Sequence, residues 1–384
     1  MSVARTKAMT NKAFLVLLLV FTVVWRLDAQ AQPSPAQSNP QRRTTKVLET
    51  RIEGAGSSAL DPLMRGWIDE YSRLHPGTRI SYKALGSKAA LRMLVAKTAS
   101  FGATDTPVPD DQPASANGRL VQFPVAVTAV IPVYNLDAVP ELRFSGGTLA
   151  DIFLGKITKW NDPAVIADNP GTNLPPMDIK VEHYFPNGTV ETRVIADYLS
   201  QVSPDFKKTL NASPNGWPLA SIGYKGGEGI AGFVSTTPGS IGYLGLAPAH
   251  LYEQTGSLKW GAVKNSDGDF VMASPKSLTT ASETAVPVVH AQANFGVQIT
   301  NAPGKGSYPI ASFIWLTLYE KPDEGPEERK KHEVMKDFLK RVLTDGQKLA
   351  LKLGYPALPD NLVKLELERL EGGDVSRDKA KSGQ

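Results

Sequence analysis

Short β-like runs alternate with helical patterns along most of the chain, and this alternation constrains the fold more than any other feature. Residues 46–53 predict a first strand, and residues 59–74 carry apolar side chains at helical spacing. Residues 79–84, 88–97 and 101–104 then predict a strand, a helix and a short strand in turn. Such alternation predicts a layered α/β fold.

The helical patterns also predict which side chains face the core. The helix at 59–74 is expected to bury Leu60, Leu63, Met64, Trp67, Ile68, Tyr71 and Leu74, and the helix at 88–97 to bury Leu91, Leu94 and Val95. A later helix, starting at Pro326 and ending at Gly346, is expected to bury a stripe of Val334, Phe338, Leu339, Val342 and Leu343.

A continuous β-rich apolar run occupies residues 123–134 and is long enough to cross between two domains. The chain has 384 residues, and at roughly 100 to 200 residues per domain this length suggests two domains. One large domain remains allowed by length alone.

The N-terminus has the features of an export signal. A basic start precedes an apolar run at residues 13–25 that is too short to span a bilayer comfortably, and Ala29-Gln30-Ala31 is the small-x-small pattern that a signal peptidase reads. We expect residues 1–31 to be a signal peptide cleaved after Ala31, which places the mature chain in the periplasm. An uncleaved anchor is the alternative. No cysteine follows the apolar run, so neither a lipid anchor nor a membrane-spanning mature chain is expected.

Polar segments flank the part expected to fold. Residues 32–45 are rich in proline and predict a disordered leader, and residues 372–384 predict a disordered tail.

Composition excludes several classes of function. Cysteine is absent, which removes disulfide frameworks, thiolate zinc sites, iron–sulfur clusters and cysteine nucleophiles. Lys and Arg number 42 against 38 Asp and Glu, so no surface for nucleic acid is indicated. The five histidines are scattered, without the spacing of a metal site, and no nucleophile elbow or Walker loop occurs. We expect no metal, no cofactor and no enzyme activity.

Three segments share one design, in which a strand is followed by a Gly/Ser/Thr-rich turn and a helix. They are residues 54–58, 86–88 and 187–189. The start of a helix offers unpaired N–H donors and the positive end of a dipole, so three such turns could converge on one small oxyanion. The alternative is that Ser58, Ser87 and Thr189 are ordinary N-caps.

Two further segments bear on this candidate site. Asp105 follows the strand at 101–104, at the end of a strand where sheet crevices bind ligands; alone, it would more often be a turn or cap residue. The glycine-rich residues 226–229 are interpreted as a structural turn that precedes a helix near the cleft.

Several motifs together resemble the periplasmic phosphate-binding proteins of phosphate ABC transporters, the PstS family. They are GAGSSAL at 54–60, GSKAALRMLVAKTASFGATD at 86–105, FPVAV at 123–127, TLADIFLGKITKWNDPAV at 148–165, GGEGIAGFVSTTPGSIGYL at 226–244, YPIASF at 308–313 and GYPALPD at 354–360. The most specific is LGKITKWNDP at 154–163. The resemblance covers nearly the whole mature chain, from about Glu53 to Leu370.

This resemblance implies a two-lobed receptor of the type II, Venus-flytrap kind, with two hinge crossings, that closes on a small oxyanion. Lobe I is expected at residues 46–125 plus 300–371, and lobe II at residues 126–299. Partners would be phosphate or a related oxyanion and an inner-membrane ABC permease, and the receptor is expected to be a monomer.

The family's binding residues map onto the three turns. The first-turn hydroxyl corresponds to Ser58, with the N–H of Ala59 beside it, the second-turn serine to Ser87, and the aspartate that accepts the ligand's proton to Asp105. In the third turn the corresponding residues are Thr189, Val190 and Glu191.

The third turn departs from the family pattern. The family's arginine position is Phe185, its aspartate partner is Asn187, and its last threonine is Glu191. Losing a cation or gaining an anion beside a dianion is worth about 4 kcal/mol per charge at 4 Å and an effective dielectric of 20. Either phosphate is bound poorly, or another cation has taken the role.

Two residues could supply that cation. Lys88 follows Ser87 at the rim of the second turn, and Arg193 lies one helical turn after Thr189 on a face that leans toward the helix start. The alternatives are a solvated Lys88 and an Arg193 in a surface or interdomain ion pair, for example with Glu191 or Asp197. Glu191 could also turn outward, or share a proton with Asp105 if both face a dry cleft.

The leading hypothesis is therefore a solute-binding protein that captures phosphate or a related oxyanion by hinge closure. The second is the same fold serving as receptor or sensor for a different ligand. The third is an enzyme that uses Asp105 and Glu191 as an acid/base pair.

Overall fold

The computed structural model describes residues 49–108, 119–137, 139, 141–184, 189–212, 217, 222–224, 226–246, 249, 252, 258–291 and 295–372. All of them belong to one compact unit, Val47–Gln384. The predicted signal peptide and leader lie outside the described residues, as does the predicted tail apart from Gly372.

The described strands and helices follow the alternation that the sequence predicts. The strands are β1 Thr50–Gly56, β2 Thr78–Lys83, β3 Phe101–Thr104, β4 Leu120–Tyr134, β5 Arg143–Phe144, β6 Lys180–Tyr184, β7 Ile222–Tyr224, β8 Ser240–Gly245, β9 Lys259–Trp260, β10 Ala262–Lys264, β11 Phe270–Val271 and β12 Ala311–Tyr319. The helices are α1 Asp61–Leu74, α2 Ser87–Val95, α3 Gly146–Phe153, α4 Pro163–Asp168, α5 Val190–Val202, α6 Pro204–Ala212, α7 Gly226–Thr236, α8 Pro275–Glu283, α9 Val286–Ala291, α10 Pro326–Leu343, α11 Gly346–Lys352 and α12 Asp360–Leu370.

A long sheet runs through the described residues in the order β2-β1-β3-β12-β4-β8-β6-β7, with β9 beside β4. The strand β4 joins its two halves. Residues 120–129 of β4 pair with β12, and residues 130–134 pair with β8. The apolar run at 123–134 is thus one continuous strand that passes from one set of partners to another. The exact lobe boundaries remain a prediction.

Parallel pairing brings the ends of β1, β2 and β3 to one edge of the sheet. β1 is parallel to both β2 and β3, and Gly56 at the end of β1 lies opposite Ala103. β6 is parallel to β8, and α5 begins soon after β6 ends. The turns that follow β1, β2 and β3 therefore gather at the carboxyl edge of this half of the sheet, where α/β folds bind ligands.

Most of the predicted core side chains are buried. Leu60, Leu63, Met64, Trp67 and Tyr71 are at most 3% exposed. Leu60 lies just before α1 and the other four lie on one face of α1, which contacts β2 and α11. Two predictions at helix ends are wrong. Leu74 is 56% exposed and Val95 is 44% exposed, because each is the last residue of its helix, where the helix leaves the core.

Three predicted boundaries also need correction. The glycines at 54–56 lie inside β1 rather than in the turn after it. Gly346 does not end α10 but begins α11, and the Trp67 indole Nε1–H donates to its carbonyl at 2.9 Å. The glycine-rich residues 226–229 form the first turn of α7 itself rather than a turn before it.

None of the helices in the described residues is both long and apolar enough to cross a membrane.

Candidate functional site

Two tyrosine hydroxyls donate hydrogen bonds to the backbone of the first turn. A short 3₁₀ turn, Ser58–Leu60, connects β1 to α1. The Tyr82 hydroxyl donates to the Ser57 carbonyl at 2.7 Å, and the Tyr355 hydroxyl donates to the Ala59 carbonyl at 2.8 Å. These two hydrogen bonds fix the backbone of the turn that leads into α1.

The residues Ser58 and Ala59 occupy the positions that the resemblance assigns to the ligand. Ser58 is exposed and lies inside the 3₁₀ turn, so it is not the N-cap that the simpler interpretation expects. The N-cap residue is Ser57, whose hydroxyl oxygen is buried and finds no hydrogen-bond partner in the described residues. Sequence reasoning did not single out Ser57, Tyr82 or Tyr355.

The second turn is joined directly to the first and to Asp105. The Gly86 N–H donates to the Gly56 carbonyl at 2.7 Å. The Ser87 hydroxyl donates to Asp105 Oδ1 at 2.7 Å, and the Asp105 N–H donates back to Ser87 Oγ at 3.2 Å. Ser87 is the first residue of α2 and Gly86 is its N-cap, so the N-cap interpretation of Ser87 is also wrong.

Asp105 is the most deeply buried charged group of the cluster. It is 1% exposed, and its second carboxylate oxygen, Oδ2, has no hydrogen-bond partner in the described part of the chain. A buried carboxylate oxygen without a donor is costly. This oxygen can therefore accept a proton carried by a ligand.

The third turn is described from Thr189 onward. Thr189 is the N-cap of α5, and its hydroxyl oxygen accepts the Thr192 N–H at 3.3 Å, so the N-cap interpretation is correct here. Val190 is the first residue of the helix and is buried. Phe185 and Asn187, the replaced arginine and aspartate positions, lie outside the described residues.

Arg193 reaches Asp105. Its guanidinium Nη2 forms an ion pair with Asp105 Oδ1, and its side chain is 27% exposed. Of the described acidic residues, Asp105 rather than Asp197 forms the ion pair with Arg193. A cation one turn into α5 thus stands beside the buried carboxylate, joining α5 to the end of β3.

Glu191 faces the same cluster. Burial raises the pKa of the Glu191 carboxyl, and the charge of Asp105 raises it further. Hydrogen bonds from its own N–H and from the Thr189 hydroxyl, together with the charge of Arg193, act in the opposite direction. The proximity of Glu191 to Asp105 in a dry cleft stays a prediction.

Lys88, the other candidate cation, is exposed in the first turn of α2. It forms no ion pair with any described residue. Its position fits the solvated lysine that the sequence allowed, at the rim rather than inside the cluster.

Across the described ranges, no group of three or more His, Asp or Glu side chains could hold a metal ion.

The chain is similar to known proteins over most of its length. A family model for the PBP superfamily domain matches residues 30–345. The phosphate-binding protein PstS of Xylella fastidiosa (strain Temecula1) is 36% identical over 337 residues, covering 87% of this chain and 88% of the relative.

Solved structures are similar over most of the fold. A phosphate-binding protein from Stenotrophomonas maltophilia superposes with a TM-score of 0.58 at 19% identity, covering 83% of this chain and 93% of the other. An ABC-type phosphate transport receptor from Vibrio cholerae gives 0.53 at 18% identity, covering 80% of this chain and all of the other. These similarities confirm the α/β two-lobed binding-protein fold. The chain belongs to the PstS family of the PBP superfamily.

Proposed function

We propose that this chain is the solute-binding protein of an ABC importer and that it binds inorganic phosphate between its lobes. The observation that carries the proposal is the buried Asp105 carboxylate, held by Ser87 and Arg193 where the turns after β1 and β2 meet. Phosphate needs N–H and O–H donors, one cation and one acceptor for its proton, and charge-assisted bonds of this kind are strong.

Each part of the cluster has a role in this proposal. Ser58 and Ser87 donate hydroxyl groups, and the N–H groups of Ala59, Val190 and Glu191 point from helix starts. Asp105 accepts the ligand's proton through Oδ2. Arg193 replaces the arginine that the family carries at the position of Phe185.

The proposed location and partner of this chain are those of its family. The exported chain, after loss of residues 1–31, delivers phosphate to a permease in the inner membrane, and no step of catalysis is involved. The relatives named above are phosphate-binding transport proteins, which supports this assignment.

Glu191 favours a second candidate, a receptor for a ligand other than phosphate. An additional carboxylate beside Asp105 opposes a dianion, whereas a neutral or cationic solute would suffer no such repulsion.

Isothermal titration of the purified chain, stripped of ligand by unfolding and refolding, distinguishes the two candidates. We expect phosphate to bind with a micromolar or lower dissociation constant and sulfate, which carries no proton for Asp105, to bind far more weakly. No detectable heat at millimolar phosphate, from pH 5.5 to 8, would overturn the proposal in favour of the second candidate.

A further inference from the structure

The small sheet of β5, β10 and β11 has one apolar face and one face that is open to solvent. Residues that pair across strands lie on the same face of a sheet, and successive residues alternate between faces. Val263 pairs with Phe144 and with Val271, and all three are at most 9% exposed, so their face belongs to the core. The next residue, Lys264, pairs with Phe270 on the opposite face. Lys264 is exposed and Phe270 is half-buried.

Two cations lie beside the ring of Phe270 on this open face. Arg143 on β5 pairs with Ala262, two residues before Lys264, and therefore lies on the same face as Lys264. The Lys264 Nζ is 5.4 Å from the centre of the Phe270 ring, and the Arg143 guanidinium carbon is 5.8 Å from it. Both distances are in the range of cation–π interactions, which hold the two positive groups beside one ring.

Buried side chains fix the backbone of both cations. The Arg143 N–H donates to Asn169 Oδ1 at 2.8 Å, and Asn169 Nδ2 donates back to the Arg143 carbonyl at 2.9 Å. The Tyr198 hydroxyl donates to the Lys264 carbonyl at 3.0 Å. Asn169 is 3% exposed and Tyr198 is fully buried. The two cations are therefore carried by a backbone that is already in place before any ligand binds.

A third cation, Lys305, lies on a loop that is tied to the turn between β10 and β11. Asn265 Nδ2 donates to the Gly304 carbonyl at 3.3 Å and to the Ser307 carbonyl at 3.2 Å. The Gly304 N–H donates to Asp267 Oδ1 at 3.2 Å. These hydrogen bonds hold the loop, and with it Lys305, beside the small sheet.

An open cavity of about 590 Å³ lies between the sheet and this loop, and Arg143 and Lys305 both line it. Phe270, Val271 and Met272 form its apolar part. A volume of this size is typical of sites for small molecules.

The three cations have no acidic partner among the described residues. Arg143, Lys264 and Lys305 are all exposed, and none forms an ion pair with a described Asp or Glu. The turn between β10 and β11 carries Asp267 and Asp269, and Asp269 lines the cavity, but neither carboxylate is within ion-pair distance of a described lysine or arginine. Positive groups held side by side repel one another, and a bound anion removes this repulsion.

We propose that this cavity is a second ligand site, separate from the cluster around Asp105, and that it binds a phosphomonoester dianion. The phosphoryl group lies between the Arg143 guanidinium and the Lys305 ammonium. None of the residues that line the cavity belongs to the Asp105 cluster. The proposal therefore does not depend on phosphate binding at that cluster.

The ligand class follows from charge and shape. A dianion is attracted by several cations more strongly than a carboxylate monoanion is, and the guanidinium fork matches two phosphoryl oxygens. Lys264 adds a third positive charge at the edge of the site. The organic group of the ester lies against Phe270 and Met272, which inorganic phosphate cannot use.

The test titrates the chain with phenyl phosphate by calorimetry, in a solution with enough inorganic phosphate to saturate the site proposed at Asp105. The cavity variant combines Arg143→Gln with Lys305→Gln. Its matched control combines Arg73→Gln with Lys208→Gln, which removes the same charges from exposed positions that form no ion pair with a described residue.

Nuclear magnetic resonance locates the ligand, since the amide groups of Gly268 and Gly306 lie at the cavity. We expect both signals to shift with phenyl phosphate. We expect a dissociation constant of about 1 mM or lower, and weaker binding of methyl phosphate. The cavity variant should lose at least about tenfold in affinity and the control less than about twofold. Added salt should weaken binding.

Three results would overturn the inference. One is equal affinity for phenyl phosphate in the cavity variant and its control. Another is binding of the monoanion phenylacetate as tightly as phenyl phosphate, because the site would then not select a dianion. The third is cosedimentation with phosphatidylglycerol vesicles through these cations without binding of phenyl phosphate, which would assign the surface to a membrane instead. Phosphate binding at Asp105 is measured separately, so its failure and the failure of this inference are distinguishable.

Discussion

Arg193 on α5 is ion-paired with Asp105 at the end of β3. β3 and β6, the strand that precedes α5, lie on opposite sides of β4 in the sheet, so the ion pair connects the two halves of the sheet. It puts a guanidinium beside a carboxylate that is 1% exposed. A buried ion pair contributes little net stability, because desolvation offsets the attraction. Removing one partner would nevertheless be costly, because it would leave the other charge buried without compensation.

Substitution at Gly56 should disturb the joint between the first two turns. An added Cβ would lie 2.1 Å from the Ala103 carbonyl oxygen, which is backbone and cannot move aside. We expect Gly56→Ala to lower the free energy of unfolding by about 2 kcal/mol or more. Chemical denaturation followed by circular dichroism measures this.

The matched control for that substitution is Gly147→Ala in α3, where an added Cβ meets nothing within 4 Å. It should leave stability unchanged or raise it by up to about 1 kcal/mol. Equal destabilisation by both variants would mean that the close approach of β1 to β3 is not as described.

Tyr82→Phe should weaken ligand binding without unfolding the protein. The change removes only the hydroxyl that donates to the Ser57 carbonyl. One hydrogen bond of this kind is worth about 0.5 to 1.5 kcal/mol, so we expect a loss of phosphate affinity of roughly threefold to tenfold. Titration calorimetry gives the affinity, and thermal unfolding checks the fold.

Tyr319→Phe is the control for this effect. The Tyr319 hydroxyl also donates to a backbone carbonyl, that of Leu94 at 2.9 Å, at the opposite end of α2 from Ser87. Its loss should affect stability but not binding. If both variants lose affinity equally, Tyr82 has no particular role in positioning the first turn.

Sequence patterns were sufficient for much of the fold but not for the contacts that hold the turns. The predicted strand at 101–104 has the same bounds as β3, because four apolar or small residues lie between clear breaks. The order of turns at one edge follows from parallel pairing. By contrast, Leu74 and Val95 fit the helical period yet lie at helix ends, and periodicity does not show where a helix leaves the core.

The sequence singled out some residues of the cluster around Asp105, but it did not show how they bond to one another. Ser87 and Arg193 both contact Asp105, and all three residues were singled out from the sequence and the resemblance. That Ser87 bonds to Asp105 rather than capping its helix depends on how two strands align in space. Tyr355 is 296 residues from its partner Ala59, and no local signal marks such a contact.

Glu182 should make stability depend on pH. It is 1% exposed, one carboxylate oxygen lacks a partner in the described residues, and burial raises its pKa to about 7. A carboxyl with a raised pKa binds its proton more tightly in the folded state, so the stability that it contributes is lost as pH rises from about 4.5 through about 7.

Glu182→Gln removes this titration. Between pH 5 and pH 8, the free energy of unfolding of the variant should rise by about 1 to 3 kcal/mol relative to that of the wild type. The reason is that the wild-type carboxyl becomes charged in this interval while it is buried, whereas the amide stays neutral. Urea denaturation at both pH values measures the difference. A constant difference between variant and wild type would mean that Glu182 does not titrate in this interval.

The most direct test of phosphate binding through Arg193 is the phosphate dissociation constant of Arg193→Met, measured by titration calorimetry beside Lys88→Met. Removing a partly buried cation next to a dianion should weaken binding at least about a hundredfold, whereas removing the exposed Lys88 should change it less than about fivefold. Unchanged affinity in Arg193→Met, or a larger loss in Lys88→Met, would contradict the assignment of Arg193 as the cation of the site.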